Sequence, residues 1–293
     1  MDGQKRVLET PRGDSQLTPL WQKRNFYHYP FVMLSDIISS RHLLSLLVKR
    51  DIATRYRRAY LGFSWAILEP LLLAGVYSVV FTILVGSSDP LYAAKVVLGV
   101  IGWSLFSRSV TSSAKSLTNS VNLFQFARVP KSVFATNGPI TNTILALFSL
   151  LSVIPFFIIH DLPVTVNLLM VPLWLFFISF TGWSIGLLVA PISCKIPDMM
   201  NIINFLVRAG FFLSPVMWTY DMFSRRFGEG WQSVVAHLNP TIVPLTEIRD
   251  AVLGTSSNIP SWGYSMCFAI SVIFYLFGSI VFMRSAHKAV VNI

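Results

Sequence analysis

An all-α, polytopic membrane protein is the fold class this sequence predicts. Of its 293 residues, 54% are hydrophobic and 12% are charged, and the mean hydropathy is +0.62, too apolar for an ordinary soluble domain. The apolar residues gather into stretches of the roughly 20 residues a helix needs to cross a bilayer core. Lys and Arg are unequally placed about those stretches: 17 lie in the segments on one side and 3 in those on the other. Basic residues beside a span stay in the cytoplasm. Both termini are therefore expected inside the cell.

Residues 1–40 read as a cytoplasmic tail, polar, basic and weakly ordered at its start, with no secretory signal pattern. Residues 41–61 read as an amphipathic helix. Leu44, Val48, Ile52 and Tyr56 repeat every four residues, while Arg41, Lys49, Arg57 and Arg58 fall elsewhere. Such a helix lies in the headgroup plane, or simply extends the first span. Residues 62–293 form the membrane domain, with spans predicted at 63–86, 93–114, 139–160, 168–192, 199–219 and 262–283, their ends marked by Gly, Pro, Asn or Asp. The segment 220–261 holds two apolar stretches, each too short to span, split at Asn239-Pro240. They read as short helices over Trp231–Leu238 and Ile242–Leu253. These either dip back into the outer leaflet as a gate or lie on the surface as a cap, with Glu247, Arg249 and Asp250 as a charged patch.

Several polar residues fall inside predicted spans, where charge is costly and often functional. Glu69 precedes Pro70 in the first span. Arg108 lies in the second, among Ser104, Ser107, Thr111, Ser112 and Ser113, and Arg208 is near the middle of the fifth. Either Glu69 pairs with an arginine as structural glue, or these groups line a wet path. Lys95, near a span end, is expected to snorkel outward. Aromatic faces that could line such a path are Trp65, Tyr77, Phe81, Trp103, Trp183, Trp218 and Tyr220, with packing and interfacial anchoring as the alternative. Gly182-x-x-x-Gly186 would let a neighbouring helix approach closely.

The absences also narrow the function. No G-x-x-x-x-G-K-[ST] run occurs, so ATP cannot be held here in the Walker manner. His28, His42, His160, His237 and His287 are scattered, and neither a catalytic set nor a metal cluster emerges. Cys194 and Cys267 read as small packing residues. The net charge of +10 does not argue for nucleic acid, because 11 of the 23 basic residues precede Gly62, where they would meet anionic lipid.

Four blocks taken in order resemble the permease subunits of ABC-type polysaccharide exporters, which move O-antigen, capsule or teichoic-acid chains out of bacteria. They are RDIATRYRRAYLGFSWAILEPLL (50–72), LFQFARVPKSVF (123–134), FFLSPVMW (211–218) and LNPTIVPLTEIRDAVLG (238–254). One departure is Val129, where an aromatic residue commonly precedes the proline. The resemblance implies a transport subunit without catalysis, acting as a homodimer in the bacterial inner (plasma) membrane with two copies of an ABC nucleotide-binding subunit. This chain would bind no cofactor; ATP and magnesium would sit on the partner. The cargo would be a lipid-linked polysaccharide. Its pyrophosphate would enter at Arg55, Tyr56, Arg57 and Arg58, since arginine forks pair with phosphate. The loop residues Phe126, Arg128, Pro130 and Lys131 would couple to the ATPase subunit, and Asn239, Pro240, Glu247 and Arg249 would belong to the external gate. An exporter of a drug or lipid with the same architecture is the alternative. A membrane-embedded glycosyl- or phosphoglycosyltransferase fits less well, because the 13 acidic residues are dispersed.

Overall fold

The computed structural model describes residues 28–55, 57, 60–85, 89–121, 129–228, 230–257 and 259–291, and among them every regular element is helical. Two helices, α1 (Tyr29–Ser39) and α2 (Arg41–Arg55), come first and meet at a 71° bend. Pro30 suits the start of α1, where its missing amide hydrogen costs nothing. Helix α2 ends at Arg55, and a 3-10 turn at Gly62–Ser64 directly precedes α3 (Trp65–Val85), while Tyr56, Arg58 and Ala59 between them lie outside the described residues. Helix α2 packs against the rest of the protein. Its Leu44, Leu47 and Val48 are buried against Val133 of α6 (Lys131–Ser149). The apolar stripe is thus spent on protein packing. Asn137 of α6 adds a 2.6 Å hydrogen bond to Asp51.

At the centre stands α4 (Tyr92–Ala114), followed by the single turn α5 (Ser116–Asn119). Helix α4 is packed by α3, α6, α8 (Val171–Lys195), α9 (Met199–Leu213) and α12 (Ile242–Leu253), and stays half-buried along Ser104, Ser107, Arg108, Thr111 and Ser112. The Gly182/Gly186 pair lies at the contact of α8 with α4: a Cβ at Gly182 would stand 2.8 Å from the Phe106 carbonyl, and one at Gly186 2.8 Å from that of Val110. The pair removes the side chains that would hold these backbones apart. On its other side α8 packs along α13 (Ser261–Val291), where Trp183, Phe180 and Tyr275 cluster and Thr181 bonds Ser271 at 2.9 Å.

Helix α6 begins eight residues before the predicted span, directly after Pro130. With a short 3-10 break at Leu150–Val153 and α7 (Ile154–Ile159), it forms one apolar run, Lys131–Ile159. Among the described residues four helical runs are long and apolar enough to cross a membrane: Tyr92–Ala114, Lys131–Ile159, Val166–Lys195 and Ser261–Ala286; the bent α1–α2 pair, taken as one, makes five. Helix α3 is continuous over 21 residues. By contrast α9 has 15, about 22 Å at 1.5 Å per residue, short of a hydrocarbon core of about 30 Å. Ser214-Pro215 ends it early. After it come α10 (Tyr220–Phe227), α11 (Trp231–His237) and α12. The latter two occupy the positions expected for the short helices, and α10 is an additional one.

A polar cleft, an exposed arginine stripe and a pinned cap

Helix α3 is anchored at its proline. Pro70 lies inside α3 and lacks the amide hydrogen that would bond the Ala66 carbonyl four residues back. Ser149 of α6 reaches that carbonyl at 2.7 Å. One turn along, Arg108 of α4 donates to Glu69 at 2.6 Å. These side chains are 38% and 43% exposed, so the pair is neither sealed nor free. Between α3, α4 and α6 it borders a cavity of about 20 Å³, lined also by Ser104 and Asn142. That volume suits one water molecule. Asn142 is 4% exposed, gives its amide to Ser112 at 3.3 Å, and leaves its carbonyl oxygen without a partner.

Arg208 stands differently. It lies mid-helix in α9, exposed, with no ion pair among the described residues. At 100° per residue, Asn201, Phe205, Arg208 and Phe212 share one stripe, and all four are exposed. Phe205 and Phe212 are 69% and 68% accessible.

The aromatic candidates divide. Trp183 and Tyr220 are buried, Trp183 beside Tyr275 and Tyr220 against the His237 ring, so packing consumes both. Trp103 is buried against Phe106 and Phe211, and Tyr77 leans on Phe211 with ring centres 5.2 Å apart. Trp65 is partly exposed at the start of α3. Trp218 donates its indole hydrogen to the Phe212 carbonyl at 3.1 Å. The Phe81 side chain lies outside the described residues. A large apolar groove of about 780 Å³ opens between α8 and α9 over Trp103 and Phe106 of α4, and passes under α10 and α11.

The expected gate residues serve as pins. Asn239 donates to Ser214 at 2.8 Å and accepts from the Thr241 hydroxyl at 2.8 Å, tying the α11–α12 turn to the end of α9. Cys267 bonds the Pro240 carbonyl at 3.0 Å. Glu247 accepts the Tyr264 hydroxyl. Arg249 departs most from a solvated patch. It is 4% exposed and donates to three carbonyls: Lys95 at 2.8 Å, Trp218 at 3.1 Å and Val216 at 2.7 Å. Burial lowers its pKa to about 10, against the pull of Tyr92 and Asp250, so it stays cationic at neutral pH. Gly99 makes the room, because a Cβ there would strike the guanidinium. Lys95 does not snorkel outward alone; it pairs with Asp89 at 2.7 Å. Burial raises the Asp89 pKa, but the bonds from Lys95 and the Leu91 amide outweigh it and hold the carboxyl below its ordinary range.

Of the basic run, Arg55 ends α2 and Arg57 follows in a turn, both exposed; Tyr56 and Arg58 lie outside the described residues. Phe126 and Arg128 also lie outside them. Pro130 caps α6, and Lys131 bonds the Ala286 carbonyl near the end of α13 at 3.2 Å. Among the described residues no group of His, Cys, Asp or Glu could hold a metal. Sequence reasoning missed Ser149, Asn142, Asn137 and Ser214. A serine or asparagine signals nothing until the fold shows which carbonyl it faces; only Pro70 hinted that a donor was needed.

Residues 42–253 match the family of ABC-2 type transporters. The chain is 26% identical over 218 residues to an O-antigen export system permease protein, RfbA, of Myxococcus xanthus, covering 74% of this chain and 82% of that protein. To the protein of the same name in Klebsiella pneumoniae it is 21% identical, with the same coverage. To the polysialic acid transport protein KpsM of Escherichia coli it is 24% identical, covering 78% of this chain and 88% of that one. That family match spans more than two thirds of the sequence, and the chain belongs to the ABC-2 type transporter family.

Proposed function

We propose that this chain is the membrane-spanning subunit of an ATP-driven exporter that carries a lipid-linked polysaccharide out of the cytoplasm. It acts as a homodimer with two nucleotide-binding subunits, which hold the ATP and magnesium. In this reading α3 and α9 join the four long runs to make six spans, both termini lie in the cytoplasm, and the complex sits in the inner (plasma) membrane. The observation that carries the reading is Arg208 on its exposed stripe. A charge in mid-helix cannot face lipid cheaply, so this face of α9 requires another protein surface or a wet path. Flanking Phe205 and Phe212 suit a sliding sugar chain, because aromatic faces stack without fixing position. The Glu69–Arg108 pair and the hydroxyls around it give α3 and α4 a second polar edge.

Arg55, Tyr56, Arg57 and Arg58 would receive the lipid pyrophosphate. Helix α2, bound to α6 through Asp51 and Asn137, would pass the partner's closure to the spans, together with Phe126, Arg128, Pro130 and Lys131. The α11–α12 cap, held by Asn239 and Arg249, would form the outer gate. The two relatives named for O-antigen export and the one named for polysialic acid transport support a polysaccharide over a drug or simple lipid. Deleting the gene should abolish the surface glycan and leave its lipid-linked precursor inside, with restoration by the intact chain. An unchanged glycan would contradict the proposal and favour the drug or lipid exporter.

A further inference from the structure

The groove between α8 and α9 lies on the face of α9 opposite the Arg208 stripe. Ile203, Leu206, Val207 and Gly210 turn into it, about 180° from Phe205 and Arg208 at 100° per residue. A path along the stripe, or a second copy covering it, therefore leaves the groove facing elsewhere. Apart from tryptophans, its polar side chains are Gln232 and Asn239, both at the end under α10 and α11. The Asn239 amide is already committed to Ser214.

That end carries the marks of a membrane–water interface. Phe223 and Phe227 of α10 enter the groove, with Trp218 and Trp231 beside them. Arg226 flanks this aromatic face, exposed and without an ion pair among the described residues. Tryptophan and arginine together suit the headgroup level of an anionic lipid. From Met199 to Leu213 the groove follows α9 for about 21 Å, more than the roughly 15 Å of one leaflet's hydrocarbon. We propose that it holds one acyl chain of an anionic bilayer phospholipid, whose phosphate sits at Arg226. The lipid fills the space between α9 and α8 while leaving α9 free to shift against α4.

The full chain with its ATPase partner, taken from bilayers of mixed phosphatidylglycerol and phosphatidylcholine into native mass spectrometry, tests this. The wild type should retain phosphatidylglycerol in preference. Arg226→Gln should reduce that preference about fivefold, the effect of one basic residue at an anionic surface, while Arg225→Gln, on the far side of α10, leaves it unchanged. Val207→Trp, which fills the groove, should release both lipids. Equal retention of the two lipids by the wild type, or no effect of Arg226→Gln, overturns the proposal. So does ready disulfide linkage of two copies through Leu206→Cys, which would make the occupant a second chain. Displacement of the phospholipid by stoichiometric polyprenyl phosphate would likewise assign the groove to the cargo's carrier.

Discussion

Ser149 of α6 supplies the Ala66 carbonyl of α3 with the hydrogen bond that Pro70 withholds. A proline inside a membrane helix is tolerated when a neighbour satisfies the freed carbonyl, and here the donor comes from another helix. Replacing Ser149 by Ala should cost about 1–3 kcal/mol, the desolvation of an unsatisfied buried group. In a Pro70→Ala background, where the helix bonds its own carbonyl again, the same change should cost far less. Thermal unfolding of the four proteins in detergent closes this cycle, and equal losses in both backgrounds would refute the link.

Arg249 holds the cap to the α4 start and to the chain after α9 through three carbonyls. Arg249→Gln should destabilise the protein by about 3 kcal/mol or more, since several buried acceptors lose their donor at once. Gly99→Ala should imitate it from the other side, because the new methyl displaces the guanidinium. Cysteines along α11 and α12 should then label faster with a membrane-impermeant reagent. Unchanged labelling in both variants would show that the cap does not depend on this contact.

Asp89 carries a signed acid dependence. Its carboxyl is held below its ordinary range by Lys95 and the Leu91 amide, so the stability it contributes is present above that ordinary value. That contribution is lost as pH falls through the lowered one. Asp89→Asn lacks this contribution at every pH, so it should lower the melting temperature at neutral pH, approach the wild type in acid and flatten the acid limb between them. An acid limb identical to wild type would contradict this.

Arg208→Leu should insert normally and still bind the ATPase partner, yet lower export about tenfold or more, the equivalent of one charge-assisted contact. Arg208→Lys, which keeps the charge, should retain most of it. Quantified surface glycan at matched expression distinguishes the two, and full export by Arg208→Leu would remove the stripe from the path.

What was legible beforehand followed from periodicity and composition. Long apolar runs announced α4, α8 and α13, and Asn239-Pro240 announced the break between α11 and α12. Gly182 and Gly186 announced a close helix contact. Boundaries read less well: α6 starts eight residues early, directly after Pro130, whose extended ψ leaves it outside the helix as the N-cap, and α9 stops at Ser214-Pro215 although apolar residues continue. Partnerships were the hardest. The sequence leaves open whether Glu69 pairs with an arginine or lines a wet path, and does not say that the arginine is Arg108; it likewise leaves Arg249 between a surface cap and a gate, and its three carbonyl partners come from distant segments. Asn137 and Asp51, 86 residues apart, have no local pattern to betray them.

The central claim is ATP-driven export of a lipid-linked glycan by this chain paired with itself and with an ATPase. It is tested most directly in sealed inside-out vesicles holding both purified subunits and given a radiolabelled lipid-linked polysaccharide. ATP should move the label into the lumen, where an external glycosidase cannot reach it, and Arg208→Leu should stop that movement while sparing ATPase assembly. Label that stays fully accessible with ATP and an active partner present would contradict the account.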